Sequence, residues 1–167
     1  KKLKIGIITH NFPNSEKDRQ NAGVFVYDLA RVLNKKADIV VFSVGTKNET
    51  KKIGGIKTYF FEFRDRLGNL KIHHPHHLVK FTQFFLKAKK ALHQFFDENS
   101  DLDFIISMWA FPAGDFANYL YKKGYTKNII LIRFCEDTRS IPGAICEDLR
   151  SARITWLFAG ACGAIRE

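Results

Sequence analysis

The sequence predicts an α/β domain in which helices cover both faces of a parallel sheet. Three observations carry that expectation. Short apolar runs rich in Ile, Val and Phe recur along the chain, each about as long as a buried strand. Between them lie segments whose apolar residues fall at three- and four-residue spacing. The chain has 167 residues, enough for one such domain with a sizeable core and too few for two. Strands that alternate with helices imply crossover connections, and hence parallel pairing.

Lys4 to His10 (KIGIITH) reads as the first buried strand. Val26, Leu29, Ala30 and Leu33 then stand at helical spacing, so a helix starts near Gly23. Asp38 to Val44 is a second strand, and the aromatic run Ile56 to Phe63 a third. The longest helical pattern spans Leu78 to Phe96. Its expected core face is Phe81, Phe85, Ala88, Leu92 and Phe95, opposite Lys80, Gln83, Lys87, Lys90 and Gln94. Asn99-Ser100-Asp101 reads as a turn before a fourth strand, Phe104 to Ser107. Pro112 suits the first position of another helix, with Phe116, Tyr119 and Leu120 inward and Gly124 ending it. Ile129 to Phe134 is the fifth strand. The first strand is expected at the centre, flanked by the second and fourth. Residues 1–142 make up this domain. Residues 143–167, where Leu149 to Arg153 fits part of a helix and Ile154 to Ile165 is apolar and rich in small residues, read as its truncated end.

Apolar residues at 46% and charged residues at 26% are ordinary for a globular protein. No stretch approaches the roughly 20 apolar residues of a membrane span. Lys1-Lys2-Leu3-Lys4 runs straight into a strand, which predicts no signal peptide. Cys135, Cys146 and Cys162 are odd in number and lack C-x-x-C spacing, which fits a reduced, cytoplasmic setting. The net charge of +10 calls for an anionic partner: nucleic acid, anionic lipid or a phosphorylated substrate. No RRM, KH or helix-turn-helix pattern accompanies it, so nucleic acid is not expected.

In parallel sheets, ligands gather beyond the carboxyl ends of the strands. Three segments fall on that edge: His10 to Gly23, Ser107 to Gly114 (SMWAFPAG), and Cys135 to Asp137. The first exceeds the usual βα loop of about 2 to 6 residues. Gly23 opens a helix there, where free N–H groups and the dipole favour an anion and a glycine permits close approach. Lys17 and Arg19 could add charge. The competing reading is a mobile surface loop. Trp109 and Phe111 precede Pro112, where an indole could stack on a sugar ring or simply pack. A G-x-G-x-x-G is missing, which disfavours a dinucleotide cofactor. In His73-His74-Pro75-His76-His77 the adjacent side chains diverge and Pro75 breaks the register, so no metal is expected. Ser43, Ser107 and Ser140 sit in no nucleophile-elbow pattern.

Taken together, these residues resemble a family. KIGIITHNFP followed by Gly23-Val24-Phe25-Val26, Leu29-Ala30 and Leu33 resembles the opening of the retaining glycosyltransferases of family 4. WAFPAG (Trp109 to Gly114), after a strand led by Asp101 and Asp103, looks like their second signature. Asp137 with Ser140-Ile141-Pro142 looks like their third. The resemblance covers about the first 142 residues. It implies the acceptor-side, Rossmann-like half of a two-domain GT-B enzyme that transfers a sugar with retention from a nucleotide-sugar to a lipid-linked or polysaccharide acceptor. Ala22 and Gly23 would then lie near the donor diphosphate. His10, Trp109, Phe111, Gly114 and Asp137 would shape the acceptor pocket, with neither metal nor cofactor. The donor-binding half is missing, so the chain alone is expected to be inactive.

The family often carries histidines before the tryptophan, where this chain has Ile106 and Met108, and His-Gly-Ser-Asp where it has Phe134-Cys135-Glu136-Asp137. No catalytic residue is therefore assigned. The alternative function is a stand-alone binding module for a phosphorylated ligand or an anionic membrane. Lys80, Lys87 and Lys90 would face that membrane, which would place a cytoplasmic protein at the inner surface.

Overall fold

The apolar runs pair into a single sheet because each presents Ile, Val or Phe to both sides and can be buried only between two layers. The computed structural model describes residues 2–18, 23–64, 75–125, 128–133 and 154–158. Its strands are β1 (Lys4–Ile8), β2 (Asp38–Gly45), β3 (Glu49–Ile53), β4 (Ile56–Glu62), β5 (Phe104–Met108), β6 (Ile129–Arg133) and β7 (Ile154–Phe158). Its α-helices are α1 (Val24–Asn34), α2 (Pro75–Asp97) and α3 (Asp115–Lys122). The strand order is β3-β4-β2-β1-β5-β6-β7, and every pair is parallel except β3 with β4. Without the antiparallel edge strand this is the Rossmann order, with β1 between β2 and β5 as the sequence predicts.

Alternation along β2 shows how the layers form. Ile39 and Val41 join the core beneath α1, with Val26, Tyr27 and Ala30. Val40 and Phe42 join the opposite core, with α2 and α3. On α2, Ala88, Leu92 and Phe95 are buried as expected, but the first turns of the face differ. Phe84, Ala88, Leu92, Phe95 and Phe96 are the fully buried residues, while Phe81 and Phe85 lie at the margin. Phe84 packs tilted or edge-on against Phe61, Phe63 and Phe116, so the register is set by rings from β4, the residue just after it, and α3. Each fully buried Phe contributes roughly 1.5–3 kcal/mol, which makes this face the anchor of the layer.

Other boundaries also move. Helix α2 begins at Pro75, three residues earlier than the pattern suggested, with proline at a first-turn position that needs no N–H donor. His76 and His77 therefore lie in its first turn, while His73 and His74 fall outside the described residues. Strand β3 was hidden because it is polar: Glu49, Thr50, Lys51 and Lys52 bury little, and lysines are typical of an edge. Gly54 and Gly55, with φ of +57° and +80°, make the two-residue turn into β4. Pro112 does not open α3. It sits inside a π-helical turn, Ala110–Gly114, that leads into the helix. Phe116 and Leu120 are buried as expected, and Gly124 (φ +76°) follows the helix end. Residues 154–158 extend the same sheet beside β6. The helical reading of Leu149 to Arg153 lies outside the described residues.

Candidate functional site

Strand order reverses between β1 and β5, and the chain leaves the two strands toward opposite layers. In folds of this strand order, ligands bind in the crevice beyond the carboxyl ends of such a pair.

The described part of the segment after β1, residues 9–18, is anchored at two points. The Phe12 N–H donates to Ser43 Oγ on β2 (3.1 Å), and both residues are buried. Glu16 Oε1 accepts from the Gly54 N–H in the β3–β4 turn (2.8 Å). This carries Lys17 into a groove of about 430 Å3 with Lys51 and Lys52, which takes in neither Gly23, His10 nor Trp109. Lys17 is thus placed away from the expected anion site, and Arg19 lies outside the described residues. Gly23 does border the crevice, immediately before α1. A Cβ built on it would overlap the Asn11 carbonyl and stand 3.2 Å from the Phe12 Cα. The glycine is needed for this close packing of helix start on loop, whether or not a ligand approaches.

Trp109 follows β5 and is the sole non-glycine residue with positive φ among the described residues (φ 83°, ψ 143°). A bulky side chain in that region costs of order 1–3 kcal/mol and persists only when its surroundings impose it. Those surroundings can be named. The indole Nε1–H donates to Asn11 Oδ1 (3.2 Å), and the Ser107 hydroxyl donates to the Trp109 carbonyl (3.3 Å). Asn11 Oδ1 also accepts from the Thr9 hydroxyl (3.1 Å), whose oxygen in turn accepts from the Asn11 N–H (3.3 Å). Phe25, from the first turn of α1, meets the indole edge to face at 5.6 Å.

His10 lies 5.7 Å from the Trp109 ring, tilted against it. Its Nδ1 is buried with no hydrogen-bond partner among the described residues. Burial also lowers the imidazole pKa below its ordinary value, because the charged form loses water it cannot replace. Nδ1 is sealed from solvent in this conformation while the His10 residue is only half-buried, so a hydroxyl reaches that nitrogen of the neutral ring only if the ring turns. Beside it, the indole offers an apolar face.

Of the residues singled out from sequence, His10, Trp109 and Gly23 are brought together. Gly114 is buried at the end of the π-helical turn. Phe111 belongs to the same turn, and its side chain lies outside what is described. Ala22, Asp137 and Ser140 to Pro142 also lie outside the described residues. Lys80, Lys87 and Lys90 are on α2, Lys87 and Lys90 exposed and Lys80 half-buried. Sequence reasoning missed Thr9, Asn11, Ser43 and Ser107, the groups that hold the crevice. Only Asn11, two residues after a threonine at a strand end, carried a local signal for such bonding.

No protein-family profile matches the chain, and no curated protein is similar to it at a significant level.

Proposed function

We propose that the chain is the acceptor-side domain of a retaining family 4 glycosyltransferase. In that reading a nucleotide-sugar is held by a second domain, and the acceptor, lipid-linked or polysaccharide, enters the crevice between β1 and β5. The observation that carries it is the buried, unpartnered Nδ1 of His10 beside the Trp109 indole. Once the half-buried His10 ring turns this nitrogen outward, the pair offers what a sugar needs: an apolar face for its C–H groups and an acceptor for a hydroxyl. The crevice also stands at the switch point where such folds take ligands. The resemblance of HNFP, GVFV and WAFPAG to the family supplies the reaction class.

Catalysis requires donor and acceptor in one cleft. The purified 167-residue chain should therefore bind saccharide acceptors, seen by saturation-transfer NMR, and turn over no nucleotide-sugar. His10→Phe and Trp109→Leu should each abolish the binding. Retained binding by both variants, or sugar transfer by the chain alone, would overturn the reading.

A second observation favours an anionic membrane as the setting. Leu78, Val79 and Leu86 on α2 are 53%, 57% and 64% exposed, beside Lys80, Lys87 and Lys90. Val79 and Leu86 are seven residues apart and share the outer face with Lys90. In the chain with net charge +10, a second copy would meet this surface with like charge. Each lysine near an anionic surface adds about 1 kcal/mol, screened by salt. No helix among the described residues is long and apolar enough to cross a membrane, so the contact would be peripheral. Vesicle co-sedimentation tests it. Changing Lys80, Lys87 and Lys90 to glutamate should abolish recovery with anionic liposomes, and equal recovery of both proteins would end the idea.

A further inference from the structure

We infer that Asn11 is a positioning residue: it latches Trp109 in a strained backbone conformation and thereby fixes the indole wall of the crevice. The inference deepens the acceptor-site reading, since it concerns the same crevice, but its evidence is separate.

The argument starts from the backbone outlier. Residue 109 occupies a region that glycine enters freely and tryptophan does not. Relaxing φ to a negative value would redirect the Cα–Cβ bond and swing the indole away from its present contacts. Something must oppose that relaxation. The Trp109 carbonyl is held from its own strand by Ser107, which fixes the backbone end. The side-chain end is fixed from the neighbouring strand's exit, through Nε1–H to Asn11 Oδ1. Asn11 is itself oriented by two hydrogen bonds with Thr9, which is buried at the end of β1. The latch therefore spans the switch point and ties the two strand ends together. Asn11 also lies directly between His10 and Phe12, whose N–H is fixed on Ser43. The same loop thus sets the His10 ring and the indole against each other.

Chemistry selects the residue type. The indole offers one donor and no acceptor, so its partner must present an oxygen lone pair. Asparagine and aspartate provide that; leucine, of similar size, does not. The two-dimensional NMR spectrum of the intact chain gives one indole N–H resonance each for Trp109 and Trp156, assigned with Trp109→Phe. In Asn11→Leu the Trp109 indole proton should shift upfield and exchange about tenfold faster, the loss of one hydrogen bond. Asn11→Asp should restore both. Thr9→Val, nearly isosteric, should shift the same resonance in the same direction by a smaller amount, and it serves if Asn11→Leu fails to fold. An unmoved indole resonance in folded Asn11→Leu, or in Thr9→Val where the leucine variant is unfolded, would overturn the inference. These readouts need no sugar. Their failure is thus distinct from failure of the acceptor reading, which is decided by saccharide binding to the native chain.

Discussion

The segment that leaves β1 and the segment that leaves β5 border one crevice, yet they are held by different physics. The first is fixed by hydrogen bonds that reach outward, from Phe12 to Ser43 and from Glu16 to Gly54, and by the fit of Gly23 under the Asn11 carbonyl. Its glycine has ordinary negative φ, so the constraint there is space. The second is fixed against its own backbone preference, with Trp109 at positive φ and a π-helical turn immediately after it. Its constraint is conformation. The first part of a loop that looks mobile in sequence, residues 9–18, can be anchored, and a short turn can store strain. Unusual φ and π-helical turns gather where ligands bind. By that criterion the β5 exit is the more strained of the two borders, while the β1 exit is the better anchored.

Substitutions can break this contrast in graded fashion. The largest effect should come from Gly23→Val, which drives a side chain into backbone. A loss of about 3 kcal/mol is expected, the upper end for overpacking, read as a lower urea midpoint. The resemblance alone would have assigned the damage to function rather than fold. A stable Gly23→Val protein would show that the loop yields. Next, Ser43→Ala leaves the buried Phe12 N–H without its acceptor, at a cost of about 2 kcal/mol. A midpoint unchanged by that substitution would mean that the frame does not depend on this bond.

Smaller, and opposite in sign to ordinary expectation, is the pair Trp109→Gly and Trp109→Ala. Both remove the indole, so their difference isolates the backbone. The glycine variant should be the more stable by about 1 kcal/mol, since only glycine relieves the positive φ. In an unstrained position alanine would win. Equal or reversed stabilities would erase the contrast between the two exits.

The smallest effect concerns His10. Its folded-state pKa is lowered by burial, so the unfolded chain takes up its proton first as pH falls. The contribution of this residue to stability is complete above the ordinary value of about 6.5, declines below it, and levels off once the folded pKa is passed. Protonated imidazole quenches a nearby indole, so emission from Trp109 should fall with a midpoint below 6.5. His10→Gln should remove that step. A midpoint above 6.5 would mean that an anionic group near the ring outweighs its burial.

Much of the fold could be read along the chain because period and burial coincide in its central strands. Ile5 to Ile8, Asp38 to Val44 and Phe104 to Met108 are apolar on both faces, which only a covered parallel sheet satisfies. The edge escaped notice for the converse reason: β3 hides its pairing in a run of charges, with Ile53 alone buried. On α2 Ala88, Leu92 and Phe95 were read correctly, whereas Phe84 and Phe96 take the buried places expected of Phe81 and Phe85, because the many apolar residues from Leu78 to Phe96 fit more than one stripe. Which stripe faces inward depends on the rings of β4 and α3 that receive it.

For the site, local chemistry announced the ring-bearing residues and long-range geometry supplied their fasteners. His10, Gly23 and Trp109 stand out in sequence because a strand end, a helix start and a loop tryptophan are recognisable locally. The bond from Trp109 to Asn11 crosses a separation of 98 residues, and that from Phe12 to Ser43 crosses 31. No local pattern encodes such a pairing. Sequence by itself determined the alternation of elements, the central place of β1 and the edge on which a ligand would gather, since hydrophobic period and crossover handedness are properties of neighbouring residues. Tertiary structure alone decided that Trp109 is strained, that His10 keeps an unused nitrogen and that Lys17 points elsewhere. Each of these depends on where a distant strand delivers a hydrogen-bond partner, or fails to.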